Sequence, residues 1–185
     1  MMLVVDLCRR DMRLSRYEFV DPIVDALIKA GAETQVTHYT QVTSPGCYEG
    51  IVLCGTALKD GDYLGNLSSF SWLMSSTPPV LGICAGMQVI AALNGARVLP
   101  RPEIGIRDIG ICAESPLLGQ PRTIQGYHLH TYAPSVPQGF TVLAGSANYA
   151  EAICSDSSVQ YGILFHPEVR NTWILASFAR LCGSI

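Results

Sequence analysis

Pro79-Val80-Leu81-Gly82-Ile83-Cys84-Ala85-Gly86-Met87-Gln88 decides the reading of this chain. An apolar run of strand length ends at small residues with a cysteine at the tip. The stretch from Val89 to Leu93 then continues with helical character. A nucleophile on a sharp strand-to-helix turn is held out from the sheet edge. The positive end of the new helix lowers a thiol's pKa and offers free N–H groups to an oxyanion. Gly82 and Gly86 suit a turn with little room for a Cβ. The sulfur of Cys84 is therefore expected at an exposed rim.

The order of elements around this turn points to a parallel sheet. Leu3–Asp6 reads as a buried strand, Thr34–Tyr39 as a second and Ile51–Cys54 as a third. Asp21-Pro22 opens a helix, with Asp21 as N-cap and Pro22 at its first position, and Gly31 closes it. Leu67–Met74 is expected to be helical, and Leu58–Asp62 a polar loop. Leu7–Arg16, with Arg9, Arg10, Arg13 and Arg16, reads as a solvated loop, or else as a docking surface for an acidic partner or a phosphate. Strands alternating with helices imply parallel pairing, with active sites at the carboxyl ends of the strands. Short strands dominate the second half: Ile109–Ala113, Thr123–Tyr127, Phe140–Ala144, Ala150–Cys154 and Tyr161–Phe165. Asn171–Leu181 forms a closing helix. One domain over residues 1–185 is expected.

Composition narrows the function. The 185 residues are 49% hydrophobic and 15% charged, with a net charge of -3. That balance gives no reason to expect a nucleic-acid partner. The longest apolar stretch, Val80–Leu93, is too short to span a bilayer. Seven cysteines without a Cys-x-x-Cys pair fit reduced thiols in a cytoplasm. No Walker loop or zinc-spaced cluster is present, so no cofactor and no metal are expected.

A nucleophilic thiol needs a base, and the base needs an orienting group. Of His38, His128, His130 and His166, the last follows a strong apolar strand. Glu168, two residues on, shares its side in an extended segment.

Gly82-Ile83-Cys84-Ala85-Gly86-Met87-Gln88 resembles the Gly-x-Cys-x-Gly-x-Gln elbow of class I (triad) glutamine amidotransferases. Phe165-His166-Pro167-Glu168 resembles their Phe-His-Pro-Glu motif. The resemblance covers essentially the whole chain. It implies a flavodoxin-like α/β fold: a central, mostly parallel sheet with helices on both faces and a smaller antiparallel region in the second half. It also implies hydrolysis of the L-glutamine side-chain amide through a cysteine thioester. Ammonia would pass to a separate ATP-dependent synthetase.

By the same resemblance, Cys84 is the nucleophile, His166 its base and then acid, and Glu168 the orienting carboxylate. The Ala85 N–H is the first oxyanion donor, and Gln88 helps hold substrate. The family usually has Ser-Gly-Gly-Pro-Gly after the third strand, where this chain has Cys54-Gly55-Thr56-Ala57-Leu58. Gly55 and Thr56 would supply the second donor, through a hole that is either pre-set or activated by a partner. Glu103-Ile104-Gly105, Glu114-Ser115-Pro116-Leu117-Leu118 and Pro137–Ala144 are most similar to the GMP synthetase branch. At Tyr127-His128-Leu129-His130 that branch usually has Ser-His-Gly-Asp, whose backbone grips the glutamine α-carboxylate and amine. Leu129 and either His128 or His130 are therefore expected to line the pocket. Two other readings remain: a stand-alone γ-glutamyl hydrolase, and a catalytically weak regulatory binding module.

Overall fold

The computed structural model describes residues 1–43, 45–75 and 78–185. Nine strands form one sheet: β1 Met2–Asp6, β2 Thr34–His38, β3 Gly50–Leu53, β4 Val80–Ile83, β5 Val98–Ile111, β6 Arg122–Pro134, β7 Phe140–Ser146, β8 Tyr149–Ser155 and β9 Gln160–Ile163. Their order across the sheet is β2-β1-β3-β4-β9-β8-β7-β5-β6. From β2 to β9 the neighbours are parallel, and from β9 to β6 they are antiparallel. The helices are α1 Arg13–Phe19, α2 Asp21–Lys29, α3 Asp62–Gly65, α4 Ala85–Leu93, α5 Pro167–Arg170 and α6 Trp173–Leu181. None is long and apolar enough to cross a membrane.

Both faces of the parallel half are covered, as continuous apolar strands require. Val4, Val52 and Leu81 cluster with Ile23 and Leu27 of α2 and with Ile174 and Phe178 of α6. Leu3, Val5, Ile51, Leu53 and Val80 cluster with Phe70 and Leu73 and with Val89 and Ile90 of α4. Neighbouring strand residues thus feed opposite layers, following the alternation of side chains along a strand.

Several boundaries differ from the sequence reading. Asp21 is not the cap of α2; it lies inside the helix, and buried Val20 takes the cap position with no side-chain bond. The cause is α1, which runs almost directly into α2 where a loop was expected. Val20 stays in the αR region and accepts from Val24 N at 3.1 Å. Leu67–Met74 winds as a 3₁₀ helix, and the closing helix, α6, is preceded by the short α5, which the sequence reading did not assign. The two short strands read near Ile109 and Thr123 are parts of a 14-residue and a 13-residue strand. Together β5 and β6 form a long ribbon at the sheet's edge.

The turn after β4 packs backbone closely against backbone. A Cβ on Gly82 would lie 2.5 Å from the Gly86 carbonyl carbon and 2.7 Å from Met87 N. A Cβ on Gly86 would meet the Leu53 backbone carbonyl of β3. Helix α4 can therefore sit down on the sheet edge only while both positions are glycine. Because the obstacle is backbone, which cannot rotate away, Gly82→Ala should cost at least about 1–3 kcal/mol. Chemical denaturation of that variant checks this, and wild-type stability would contradict the close approach.

Candidate active site

Cys84 sits between β4 and α4 at φ 52 and ψ -103. It has the only positive φ of a non-glycine among the described residues. Its backbone is clamped: Cys84 N donates to Ile163 O of β9 at 2.7 Å, and Gln88 N donates to Cys84 O at 3.1 Å. As the residue after Cys84, Ala85 begins α4, so its N–H has no intrahelical acceptor.

His166 caps α5 just beyond β9, and its N–H donates to Tyr127 O of β6 at 2.8 Å. Its Nδ1 lies 2.7 Å from Glu168 Oε1. That leaves Nε2 as the nitrogen available to the cysteine; it is buried and has no hydrogen-bond partner. His166 is 1% exposed and Glu168 9%. Gly55 lets the ring approach, since a Cβ there would lie 2.7 Å from His166 Cε1 and 3.4 Å from Cys84 Cβ. Burial alone would pull the imidazole's pKa down. The Glu168 carboxylate and the Cys84 sulfur outweigh it and hold the pKa well above the usual histidine value.

The sulfur is not at an exposed rim. Cys84 is only 3% exposed, because the ribbon lies over it. Its thiol faces Leu129 O at 3.7 Å. Gln88 is buried too, accepting from Tyr63 OH at 2.6 Å and donating to Tyr132 O of β6 at 2.9 Å. Thr131 Oγ1 closes the gap to the opposite loop by donating to Leu58 O at 3.1 Å. The cavity beside the sulfur holds about 10 Å³. That is room for one water at most.

The loop after β3 is tied down through Asp60, which the sequence reading placed in a polar loop without a role. Thr56 Oγ1 donates to Asp60 Oδ2 at 2.6 Å, Arg9 N donates to the same oxygen at 2.8 Å, and Asp62 N donates to Oδ1 at 3.3 Å. The Gly55 carbonyl accepts from the Cys8 thiol at 3.8 Å. This turns the Gly55–Thr56 peptide so that its N–H points away from Cys8. Cys54, behind it, is fully buried; burial, with Asp6 second, pushes its thiol pKa far up.

Of the two histidines left open, His130 lines the cavity with Leu129. His128 does not. It is fully buried and turned toward Glu151, whose Oε1 lies 3.4 Å from its Nε2. Tyr63, Thr131 and Tyr132 also line the cavity and carried no motif. Tyr132 contributes through a backbone carbonyl that no residue type could have announced.

A thiol at a strand-to-helix turn, with an imidazole and its carboxylate brought to it from another corner, has the composition cysteine-dependent acyl transfer requires. Residues 15–177 match the family described as glutamine amidotransferase class-I. The chain is 32% identical over 133 residues to a subunit of the glutamine-hydrolysing GMP synthase of Sulfurisphaera tokodaii, covering 68% of this chain and 70% of that one. It is 42% identical over 108 residues to the glutamine-hydrolysing GMP synthase of Thermomicrobium roseum, covering 55% of this chain but only 20% of that much longer protein. A crystal structure described as a GMP synthase subunit of Thermoplasma acidophilum superposes with a TM-score of 0.83 at 27% identity, covering 99% of this chain and 94% of that one. This chain belongs to the class I glutamine amidotransferase family.

The His166–Glu168 pair makes stability depend on pH. Because the folded-state pKa of His166 lies above its unfolded value near 6.5, its charged form stabilises fully below that pH. The contribution is lost as pH rises through the raised folded value. The melting-temperature gap between wild type and Glu168→Gln should be widest in mildly acidic buffer and narrow in alkaline buffer. A gap that grows with pH would contradict the raised value.

Proposed function

We infer that this chain is a glutaminase subunit that supplies ammonia to a separate ATP-dependent synthetase, with guanylate formation as the acceptor reaction. The observation that carries the reading is the strained Cys84 turn, facing an imidazole whose other nitrogen is bound by Glu168. The similarity to GMP synthase subunits of two other organisms supports the acceptor.

In this reading the Cys84 thiol passes its proton to His166 Nε2, and the sulfur attacks the side-chain carbonyl carbon of L-glutamine. The oxyanion is met by the Ala85 N–H at the positive end of α4 and by the Thr56 N–H. Each preorganised donor is worth roughly 3 kcal/mol. His166 then protonates the leaving nitrogen as the thioester forms. A water activated by the same imidazole releases glutamate. Glu168 holds the ring with Nε2 toward the sulfur throughout. Gln88 and the Leu129 and His130 backbone grip the substrate. A cytoplasmic location fits free thiols at Cys8, Cys54, Cys84, Cys112, Cys154 and Cys182.

The closed cavity also shapes the expected rate. Glutamine cannot enter 10 Å³, so the bonds from Gln88 to Tyr132 and from Thr131 to Leu58 must be exchanged first. Thr131→Val removes one of them. A hydrogen bond is worth about 0.5–1.5 kcal/mol net. The variant should therefore raise the partner-free kcat/KM for glutamine roughly 2–10-fold, and an unchanged or lower value would count against closure as the limit. Cys84→Ala should bring ammonia release from glutamine to background while its circular dichroism stays native. Ammonia release at the wild-type rate would overturn the assignment of the nucleophile.

A further inference from the structure

The strand that covers Cys84 also carries a second side-chain cluster, one member of which, His130, lines the catalytic cavity. His128 and His130 are two residues apart on β6 and share its buried face, at 0% and 2% exposure. Glu103 of β5 stands directly opposite His130 in the register. One ligand atom from each of the three lies within 4.8 Å of the others. His128 Nδ1 is 3.3 Å from His130 Nε2 and 3.9 Å from Glu103 Oε2. Tyr149 OH, from β8, donates to Glu103 Oε2 and lies 3.4 Å from His130 Nε2.

Neutral imidazoles do not fit this arrangement well. If His128 Nδ1 carries the proton and donates to His130, its Nε2 presents a lone pair to the Glu151 carboxylate. If His130 Nε2 donates instead, His130 Nδ1 is a buried lone pair without a partner; both of these outer nitrogens lack a hydrogen bond in the structure. Leaving such a group buried and unsatisfied is costly. A cation between the two inner nitrogens changes this. It takes both inner lone pairs and leaves His128 Nε2–H to donate to Glu151, 3.4 Å away, so that of the two outer nitrogens only His130 Nδ1 keeps no partner. Metal-bound histidines regularly place their second nitrogen on a carboxylate in this way. The spacing also suits a tetrahedral ion: metal–nitrogen bonds of about 2.0–2.1 Å put two ligand nitrogens about 3.3 Å apart.

We propose that Glu103, His128 and His130 form a binding site for a divalent transition ion of the zinc class, with Glu151 orienting His128 and the fourth position open to a water or to Tyr149. The two-nitrogen, one-carboxylate donor set belongs to zinc and its neighbours and not to calcium or magnesium. The ion's task is structural. It joins β5 to β6 on either side of Leu129, the residue whose carbonyl meets the Cys84 thiol. The site stands on its own geometry, whatever acceptor the ammonia serves. Its ligands escape a motif search because they come from two strands of one hairpin, 25 and 27 residues apart.

Cobalt(II) titration of the chelator-treated full chain tests this. One equivalent should bind with the visible absorption of a tetrahedral site and without a thiolate-to-cobalt charge-transfer band, and zinc should displace it. Glu151→Gln should weaken binding about 10–100-fold. His130→Asn and Glu103→Gln should each abolish stoichiometric binding, with native circular dichroism as the check on folding. Glu151→Gln keeps both volume and ligands, so it remains informative if the ligand variants fail to fold. Three results would overturn the proposal: no stoichiometric binding, a thiolate band showing capture by the cysteines, or equal affinity in wild type and Glu151→Gln.

Discussion

The active-site geometry depends on one close approach of backbones, where α4 crosses the ends of β3 and β4. Cys84 occupies a left-handed backbone region that costs a residue with a Cβ about 1–3 kcal/mol. That cost is borne by the neighbours. Gly82 and Gly86 let the chain reverse against Leu53, and bonds to Ile163 and from Gln88 hold the turn on both sides. The apolar layers above and below the sheet make the turn rigid, because neither α4 nor β4 can shift without opening them.

The rigidity matters because the chemistry is electrostatic. In a closed site, the desolvation that pulls His166 toward neutrality also strengthens its attraction to Glu168 and to a thiolate. The balance falls on the charged side, as the raised pKa of His166 indicates. A displacement of the ring would lose this, since attraction falls with distance while the burial penalty remains. Gly55 beneath the ring and Tyr127 O on its backbone N–H keep it in place. Cys84 is buried, which differs from the exposed sulfur the turn alone suggests, and it shares that enclosure with the imidazole.

What could be read from the sequence was whatever one short stretch determines by itself. Strands β1, β3, β4 and β9 are apolar runs buried on both faces. The Cys84 turn and the His166-Pro167-Glu168 corner are each local. What could not be read depends on partners distant in sequence. Strand β5 is mostly exposed over Leu99–Asp108, so its length leaves no apolar signature and only pairing with β6 defines it. Helix α1 has no capping side chain and is held through Phe19 and Val20, which α2 and the sheet bury. His128 and His130 look alike in sequence. That His130 also lines the cavity while His128 turns toward Glu151 follows from residues arriving from other strands.

The same distinction says which wall of the cavity can move. The floor is α4 and the β9–His166 corner, packed into the core. The loop after β3 is fixed by Asp60, which binds Thr56, Arg9 and Asp62 together. The ribbon is different. β6 is an edge strand, and β5 joins β7 through a single registered pair, Ile111 with Ala144. Near the base, β6 is held by Asn171 to Gln125 O and by His166 to Tyr127 O. Toward Pro134, the bonds across the cavity reach Tyr132 O from Gln88 and Leu58 O from Thr131. A glutamine amide carries both a donor and an acceptor, the same pair that the Gln88 side chain now spends on Tyr132 and Tyr63. Substrate can therefore replace these bonds without leaving polar groups bare, and the ribbon's outer half can open while its base keeps His166 aligned.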